Sequence, residues 1–299
     1  MPAVTVDHIT KTYGTKKSIV TALDDVSFHV EQGELFGIIG PDGAGKTSLF
    51  RILTTLLLAD KGNAVVDGND VVKDYRSIRN KVGYMPGKFS LYPDLSIEEN
   101  LAFFATIFNT TVSENYHLIK DIYEQIAPFK DRRAGKLSGG MKQKLALCCA
   151  LIHKPTVLFL DEPTTGVDAV SRKEFWIMLK GLKQQGITIL VSTPYMDEAS
   201  RCDRVALIQG GKILQINTPE GITQQFGRKL FAVKSANMLD LLHQLKSING
   251  VQDAYPFGEF HHVVLKEGVD NITMPPNTVS KEVKPDIEDC FIALMKNNG

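Results

Sequence analysis

The run Gly40-Pro41-Asp42-Gly43-Ala44-Gly45-Lys46-Thr47 fits the pattern G-x-x-x-x-G-K-[ST]. Small residues let successive backbone N–H groups converge on phosphate oxygens, and a helix N-terminus behind them adds its dipole. In such a loop Lys46 would bridge the β- and γ-phosphates of a triphosphate. The Thr47 hydroxyl, with Ser48 beside it, would ligate Mg²⁺. A second candidate is Thr156-Val157-Leu158-Phe159-Leu160-Asp161-Glu162, an apolar run closed by two carboxylates. Asp161 would hold Mg²⁺ through its water shell, because that ion keeps several waters. Glu162 would polarise an attacking water, a general-base role worth roughly 10²–10⁴ in rate. A third is Leu137-Ser138-Gly139-Gly140-Met141-Lys142-Gln143, in which Ser138 caps a helix and two glycines leave N–H groups bare for an anion. Singly, each also fits a bland alternative: a glycine-rich turn, a solvated acidic turn, a capped helix start. Together they favour phosphate chemistry.

These residues need a scaffold, and the pattern around them supplies one. Val26 to Val30 alternates with period two, Glu31 to Glu34 reads as a turn, and Leu35 to Ile39 is a nearly continuous apolar run leading into the glycine-rich loop. Thr47 to Leu58 has helical content. Thr156 to Leu160 and Ile187 to Ser192 read as buried strands, with helical spacing of Phe175, Met178, Leu179 and Leu182 between them. Ile97 to Phe108, Ser113 to Ile126 and Gly139 to Ile152 are three candidate helices without an intervening strand, which suggests a helical insertion. After about Thr218 the character changes. Leu230 to Val233 and His261 to Leu265 are strand-like, Met238 to Ile248 and Asp286 to Lys296 helix-like, and Met274-Pro275-Pro276-Asn277 is a loop.

The chain has 299 residues, enough for two domains, with 43% hydrophobic and 23% charged residues. Lys+Arg and Asp+Glu both number 34, so no overall field argues for nucleic acid as partner. No apolar stretch approaches the ~18 residues that cross a bilayer. Cys148, Cys149, Cys202 and Cys290 have neither metal-ligand spacing nor disulfide density and read as buried small hydrophobes in a reduced, cytosolic setting. His261-His262 reads as a half-exposed pair rather than a metal site, and Trp176 as packing.

The order of phosphate loop, Leu-Ser-Gly-Gly and Leu-Asp-Glu-Pro resembles the nucleotide-binding subunit of ATP-binding cassette (ABC) transporters, over roughly Val4 to Ile216. The resemblance implies ATP and Mg²⁺ as cofactors and an α/β P-loop NTPase cassette over 1–217. That cassette would have a mixed β-sheet core, an antiparallel β edge and a helical subdomain at about 88–153. A small C-terminal α+β domain would occupy 218–299. The resemblance also implies two cassettes facing head to tail. Each ATP would then lie between the loop Gly40 to Thr47 of one and Ser138-Gly139-Gly140 of the other, with Asp168 in an interface loop. Tyr13 falls where the family stacks an aromatic on adenine; a surface tyrosine in an N-terminal turn is the alternative. Tyr195-Met196-Asp197-Glu198-Ala199 and the terminal stretch Asp286 to Phe291 are similar to bacterial exporters with a C-terminal extension. Transmembrane permease subunits are then the partners, the setting being the cytoplasmic inner face of the cell membrane. Phe89 to Leu95 would receive them, or would simply pack in the core.

Two positions depart from the family pattern. Gly87 stands where the family has a glutamine reaching Mg²⁺ and the attacking water, and Pro194 where it has a histidine bonded to the γ-phosphate. Losing one such bond to developing charge costs on the order of 2–4 kcal/mol, or roughly 10²–10³ in rate. The expectation is an asymmetric pair, in which this chain binds ATP and completes a partner's site while its own turns over slowly. Coverage by neighbours or waters, with Glu162 sufficient, is the alternative. A soluble ATPase acting on ribosomes or DNA, and a nucleotide sensor uncoupled from transport, also stay open.

Overall fold

The computed structural model describes residues 1–15, 18–88 and 90–297; Phe89 lies outside them. The chain divides into two compact units, Met1–Pro219 and Glu220–Gly299. The first contains β1 (Val4–Thr15), β2 (Ser18–Val30), β3 (Leu35–Ile39), α1 (Lys46–Leu53), β4 (Lys61–Val66), β5 (Asn69–Asp70), α2 (Tyr75–Lys81) and β6 (Val82–Met85). It continues with α3 (Ile97–Ile107), α4 (Tyr116–Tyr123), α5 (Gly139–Leu151), β7 (Val157–Asp161), α6 (Ala169–Gln184), β8 (Thr188–Thr193), β9 (Arg204–Gln209) and β10 (Lys212–Asn217).

A six-stranded sheet in the order β10-β9-β3-β8-β7-β6 carries the site. Its strands run parallel except β10, which pairs antiparallel with β9. All five residues of β3 and of β7 are buried, which is why both read as unbroken apolar runs: parallel strands are covered on two faces. A four-stranded antiparallel sheet, β2-β1-β4-β5, forms the second layer. In β2, Val26, Phe28 and Val30 face inward and Ser27 and His29 face solvent, as period two requires. Between the layers Phe28 stacks on Phe36 at 5.5 Å and Phe50 meets Phe159 edge-on at 5.7 Å.

Two helices are shorter than their sequence patterns. α1 stops at Leu53 rather than Leu58 because Thr55 adopts φ 63, and Arg79 donates to the Thr55 hydroxyl and carbonyl at 2.8 and 2.9 Å. α4 starts at Tyr116 rather than Ser113. The Glu114 carboxylate accepts from the Thr110 hydroxyl and Thr111 N–H, holding that stretch in a turn.

The second unit includes α7 (Pro219–Gln224) from its second residue on, with β11 (Leu230–Lys234), α8 (Met238–Ser247), β12 (Val251–Phe257), β13 (Phe260–Leu265), β14 (Val279–Val283) and α9 (Ile287–Asn297). Its antiparallel sheet is ordered β12-β13-β11-β14, over a core of Val233, Leu241, Leu245, Val263 and Leu265. The expectation of a half-exposed His261-His262 pair is corrected here, since both are buried. His261 Nε2 lies 2.6 Å from the Met238 carbonyl, and His262 Nδ1 lies 2.6 Å from Asp289 of α9. Each polar ring is buried because it has a partner that sequence spacing does not reveal. All four cysteines are free and buried, and Trp176 is 1% exposed. Among the described residues no helix is long and apolar enough to cross a membrane.

Candidate functional site

The loop Gly40–Gly45 leaves the C-terminal end of β3, where ligand crevices form in parallel sheets. Glycine is obligatory at its two ends. A Cβ at Gly40 would sit 2.1 Å from the Ile208 carbonyl oxygen, and one at Gly45, φ 106, 2.2 Å from that of Ala22. Gly40 N–H donates to Thr193 O at 3.2 Å, tying the loop to β8. Gly45 is the N-cap of α1 and offers no side-chain oxygen, so the first N–H groups of the helix keep their capacity for an anion. Lys46 is buried and folds back over the loop, donating to the carbonyls of Gly40 at 2.8 Å and Pro41 at 2.9 Å. Thr47 and Ser48 are half-buried on the first turn, and Asp42 is exposed. Tyr13 is on β1 rather than in a turn; its hydroxyl lies 3.1 Å from Ser48 Oγ.

Asp161 ends β7 and is buried, its carboxylate accepting from Ser192 Oγ at 2.7 Å. The neighbouring Glu162 has φ 50, an uncommon conformation held by its N–H donating to both O and Oγ of Ser192 at 3.0 Å. That turn brings Glu162 Oε1 to 3.1 Å from Lys46 Nζ. The structure therefore brings Gly40, Lys46, Asp161 and Glu162 together at the C-terminal ends of β3 and β7, on either side of β8. Ser192, which holds the Asp161 carboxylate and the Glu162 backbone N–H, carried no signal beyond being a polar residue closing an apolar strand.

Gly87 follows β6 and approaches the backbone of Asp161 and the Cβ of Glu162. A Cβ there would sit 3.0 Å from Asp161 O and 3.8 Å from Glu162 Cβ. Beside it opens a cavity of about 550 Å³ lined by Tyr84, Gly87, Leu91, Gln143, His153 and Glu162 among others. Burial, then the Asp161 charge, pushes the Tyr84 hydroxyl up to about 12. Burial pushes His153 down, with its ring stacked on Phe108 at 3.8 Å. Pro194 follows β8, and Tyr195 N–H turns back to Thr193 Oγ1 at 3.1 Å.

Among the described residues, nothing of the phosphate loop lies within 4 Å of a Cβ at Gly139 or Gly140. Ser138 Oγ accepts from Met141 N–H at 3.3 Å and caps α5. A Cβ on Gly139 would meet Gly166 O at 3.6 Å, and one on Gly140 would meet Ser171 Oγ at 2.7 Å. This tip therefore packs on the loop that bears Asp168. Asp168 caps α6 through Val170 and Ser171 N–H at 3.1 and 3.0 Å, and the Ser171 bond holds its carboxyl below the usual range. Among the described residues no three His, Cys, Asp or Glu side chains gather to hold a metal. The oxygens at the site, Thr47 hydroxyl and Asp161 carboxylate, form the sparse hard donor set that suits an ion arriving with phosphates and water.

Comparison with known proteins agrees with this arrangement. The family model described as ABC transporter matches residues 23–165. The probable multidrug ABC transporter ATP-binding protein YbhF of Escherichia coli (strain K12) is 38% identical over 99% of this chain. This chain spans about half of that relative, 52% of its length. The doxorubicin resistance ATP-binding protein DrrA of Mycobacterium tuberculosis is 35% identical, covering 91% of this chain and 81% of the relative. Among solved structures, an ATP-binding subunit of an ABC transporter superposes with TM-score 0.67 at 26% identity, over 75% of this chain and 93% of the other. A dimeric cassette in a post-hydrolysis state with ADP and Pi shares the fold at TM-score 0.65 and 24% identity, over 72% of this chain and 98% of that one. A glycine cradle, a strand-end carboxylate pair and a match over 81% of the tuberculosis relative lead to one conclusion: the chain belongs to the ABC transporter family, among its ATP-binding proteins.

Proposed function

We propose that this chain binds and hydrolyses ATP to energise a membrane exporter, with transmembrane permease subunits as partners and a place at the inner face of the membrane. The observation that carries the reading is the convergence of Lys46, Asp161 and Glu162 at one edge of the parallel sheet. Gly40 to Gly45 cradle the phosphates, Lys46 neutralises their charge, Ser48 lies at the phosphate site, and Tyr13 stacks on the base. Thr47 and Asp161 hold Mg²⁺, which when bound offsets phosphate charge. Glu162 takes a proton from the attacking water. Relatives named for drug resistance and multidrug transport support an exporter.

Ser138, Gly139 and Gly140 complete the site of a second cassette, and Asp168 lies at that interface. The packing of this helix tip on Gly166, Val167 and Ser171, rather than on the phosphate loop, supports this assignment. ATP then favours the paired state because only there does the helix tip meet the γ-phosphate. The pair is asymmetric. Gly87 and Pro194 bring no side-chain donor, so this chain's own site turns over slowly while it serves a non-identical partner. The 1–217 cassette does this work, with 88–153 as its helical subdomain, and 218–299 is an accessory domain.

The test is phosphate release by the purified chain, alone and after Gly87→Gln with Pro194→His. Slow turnover, raised by the double restoration, is expected. Robust turnover in the unaltered chain removes the asymmetry, and failure to bind MgATP removes the whole reading.

A further inference from the structure

Glu198 lies in a short 3₁₀ turn, Met196–Arg201, and is fully buried. Its Oε2 accepts from Thr193 Oγ1 at 2.6 Å and Thr164 Oγ1 at 3.1 Å. Those hydroxyls belong to the two loops that flank the carboxylates. Thr193 precedes Pro194, and Thr164 is two residues beyond Glu162, whose carbonyl accepts from Thr165 N–H at 3.2 Å. One carboxylate thus joins the stem of the Pro194 loop to the stem of the Glu162–Asp168 loop.

The other half of Glu198 is unfinished. Among the described residues Oε1 is buried without a hydrogen-bond partner, and so is Arg172 Nε, which lies 4.0 Å away. A buried donor and a buried acceptor face each other at a distance too long to bond, and a shift of roughly 1 Å would satisfy both. Arg172 can make that shift along a guided path. Its guanidinium lies over the Tyr195 ring, 4.5 Å from the centroid, and its Nη1 is 3.9 Å from Asp197 at the rim. Its backbone belongs to the first turn of α6, where Arg172 N–H donates to Asp168 O at 2.9 Å. Whatever presses on the Asp168 loop therefore moves Arg172.

We infer that Arg172 and Glu198 are positioning residues. Their open ion pair closes when a second cassette engages the Asp168 loop, and closure fixes Glu162 through Thr164. The inference rests on the proposed nucleotide-driven pairing. It adds a route by which the partner's arrival reaches the carboxylate that acts on water.

The test is a double-mutant cycle with Glu198→Gln and Arg172→Met, each checked by thermal melting. Each single change is expected to lower kcat for ATP about tenfold with KM held within about twofold, and the double variant to be no slower than the worse single. A second readout needs no turnover. Trp176 is the sole tryptophan, buried one turn beyond Arg172 with its Nε1 unpartnered. In the complex with its partner cassette, a non-hydrolysable magnesium ATP analogue should shift Trp176 emission when the chain is wild type and in neither variant. Independent, multiplicative losses overturn the inference, as does a KM change alone or a wild-type emission response in the variants. A wild-type complex that binds the analogue silently overturns this inference while leaving the proposed function standing. A chain that binds no nucleotide overturns both.

Discussion

Lys46 Nζ lies 3.1 Å from Glu162 Oε1, so the cation behind the glycine loop is neutralised by the carboxylate that follows β7. On the proposed reading, incoming phosphate oxygens would compete for Lys46 and release Glu162 to act on water in the same event. Glu162→Gln should lower phosphate release by roughly 10²–10⁴ without weakening MgATP binding. Lys46→Ala should weaken binding itself. Equilibrium titration beside steady-state phosphate release checks both, and a marked loss of affinity in Glu162→Gln contradicts the relationship.

Gly40→Ala would drive a methyl group to 2.1 Å from the Ile208 carbonyl. No side chain can yield there, so β9 or the loop must move, at a cost of about 1–3 kcal/mol. Urea unfolding should show that loss together with loss of MgATP binding. Ala at Gly43, where a Cβ meets nothing within 4 Å, strains only the backbone at φ 78 and should cost less.

The two departures from the family pattern differ in structural cost. A Cβ at Gly87 approaches Asp161 O to 3.0 Å, whereas Pro194 is half-buried at a loop tip. Gly87→Gln should therefore lower the melting temperature by a few degrees, equivalent to about 1 kcal/mol, and Pro194→His by less. Differential scanning calorimetry on the two single variants separates them. Equal shifts would mean that the approach of Gly87 to Asp161 is relaxed freely.

Asp60 accepts from Lys11 Nζ at 2.7 Å and from Thr12 N–H and Oγ1, which together hold its carboxyl at about 2 against an ordinary 3.8, the Lys11 bond contributing most. A folded-state value below the unfolded one contributes stability above pH 3.8 and loses it as pH falls toward 2. Asp60→Asn should therefore be less stable than wild type at pH 7, with the gap closing between pH 4 and 2. Denaturant midpoints across that range are the check; a gap that widens in acid would refute the assignment.

Asp289 is fully buried and accepts from Tyr255 Oη at 2.8 Å, with His262 Nδ1 at 2.6 Å. Its backbone and side chain also exchange bonds with Asp286 at the start of α9. Asp289→Ala strands these groups and should cost about 3–5 kcal/mol. Hydrogen exchange should accelerate in α9 and in β13, where His262 resides.

What could be read from the residues was local. Glycines at 40 and 45 are demanded by close backbone approach, and β3 and β7 are written as apolar runs because both faces are covered. What could not be read depends on partners far along the chain. β1 is obscured by register shifts between Val6, Ile9 and Lys11, which break its alternation. Ser192 becomes significant only once β8 lies beside β7, and His262 is buried only because α9 returns with Asp289. The early end of α1 follows from Arg79, a residue outside the helix. The bond from Glu198 to two separate loops belongs to the same class.

The sheet order β3-β8-β7 has a further meaning for how the molecule assembles. Of these three strands β8 comes last in the chain, yet it sits between the other two. Until Thr188–Thr193 has slotted into that gap, the glycine cradle and the acidic pair have no common wall, and Ser192 and Thr193 cannot hold either. A formed nucleotide site thus requires β8 in place between β3 and β7. A ligand present at 100 times its Kd would add about 2.7 kcal/mol to the finished state alone, so the nucleotide rewards completed insertion of the central strand.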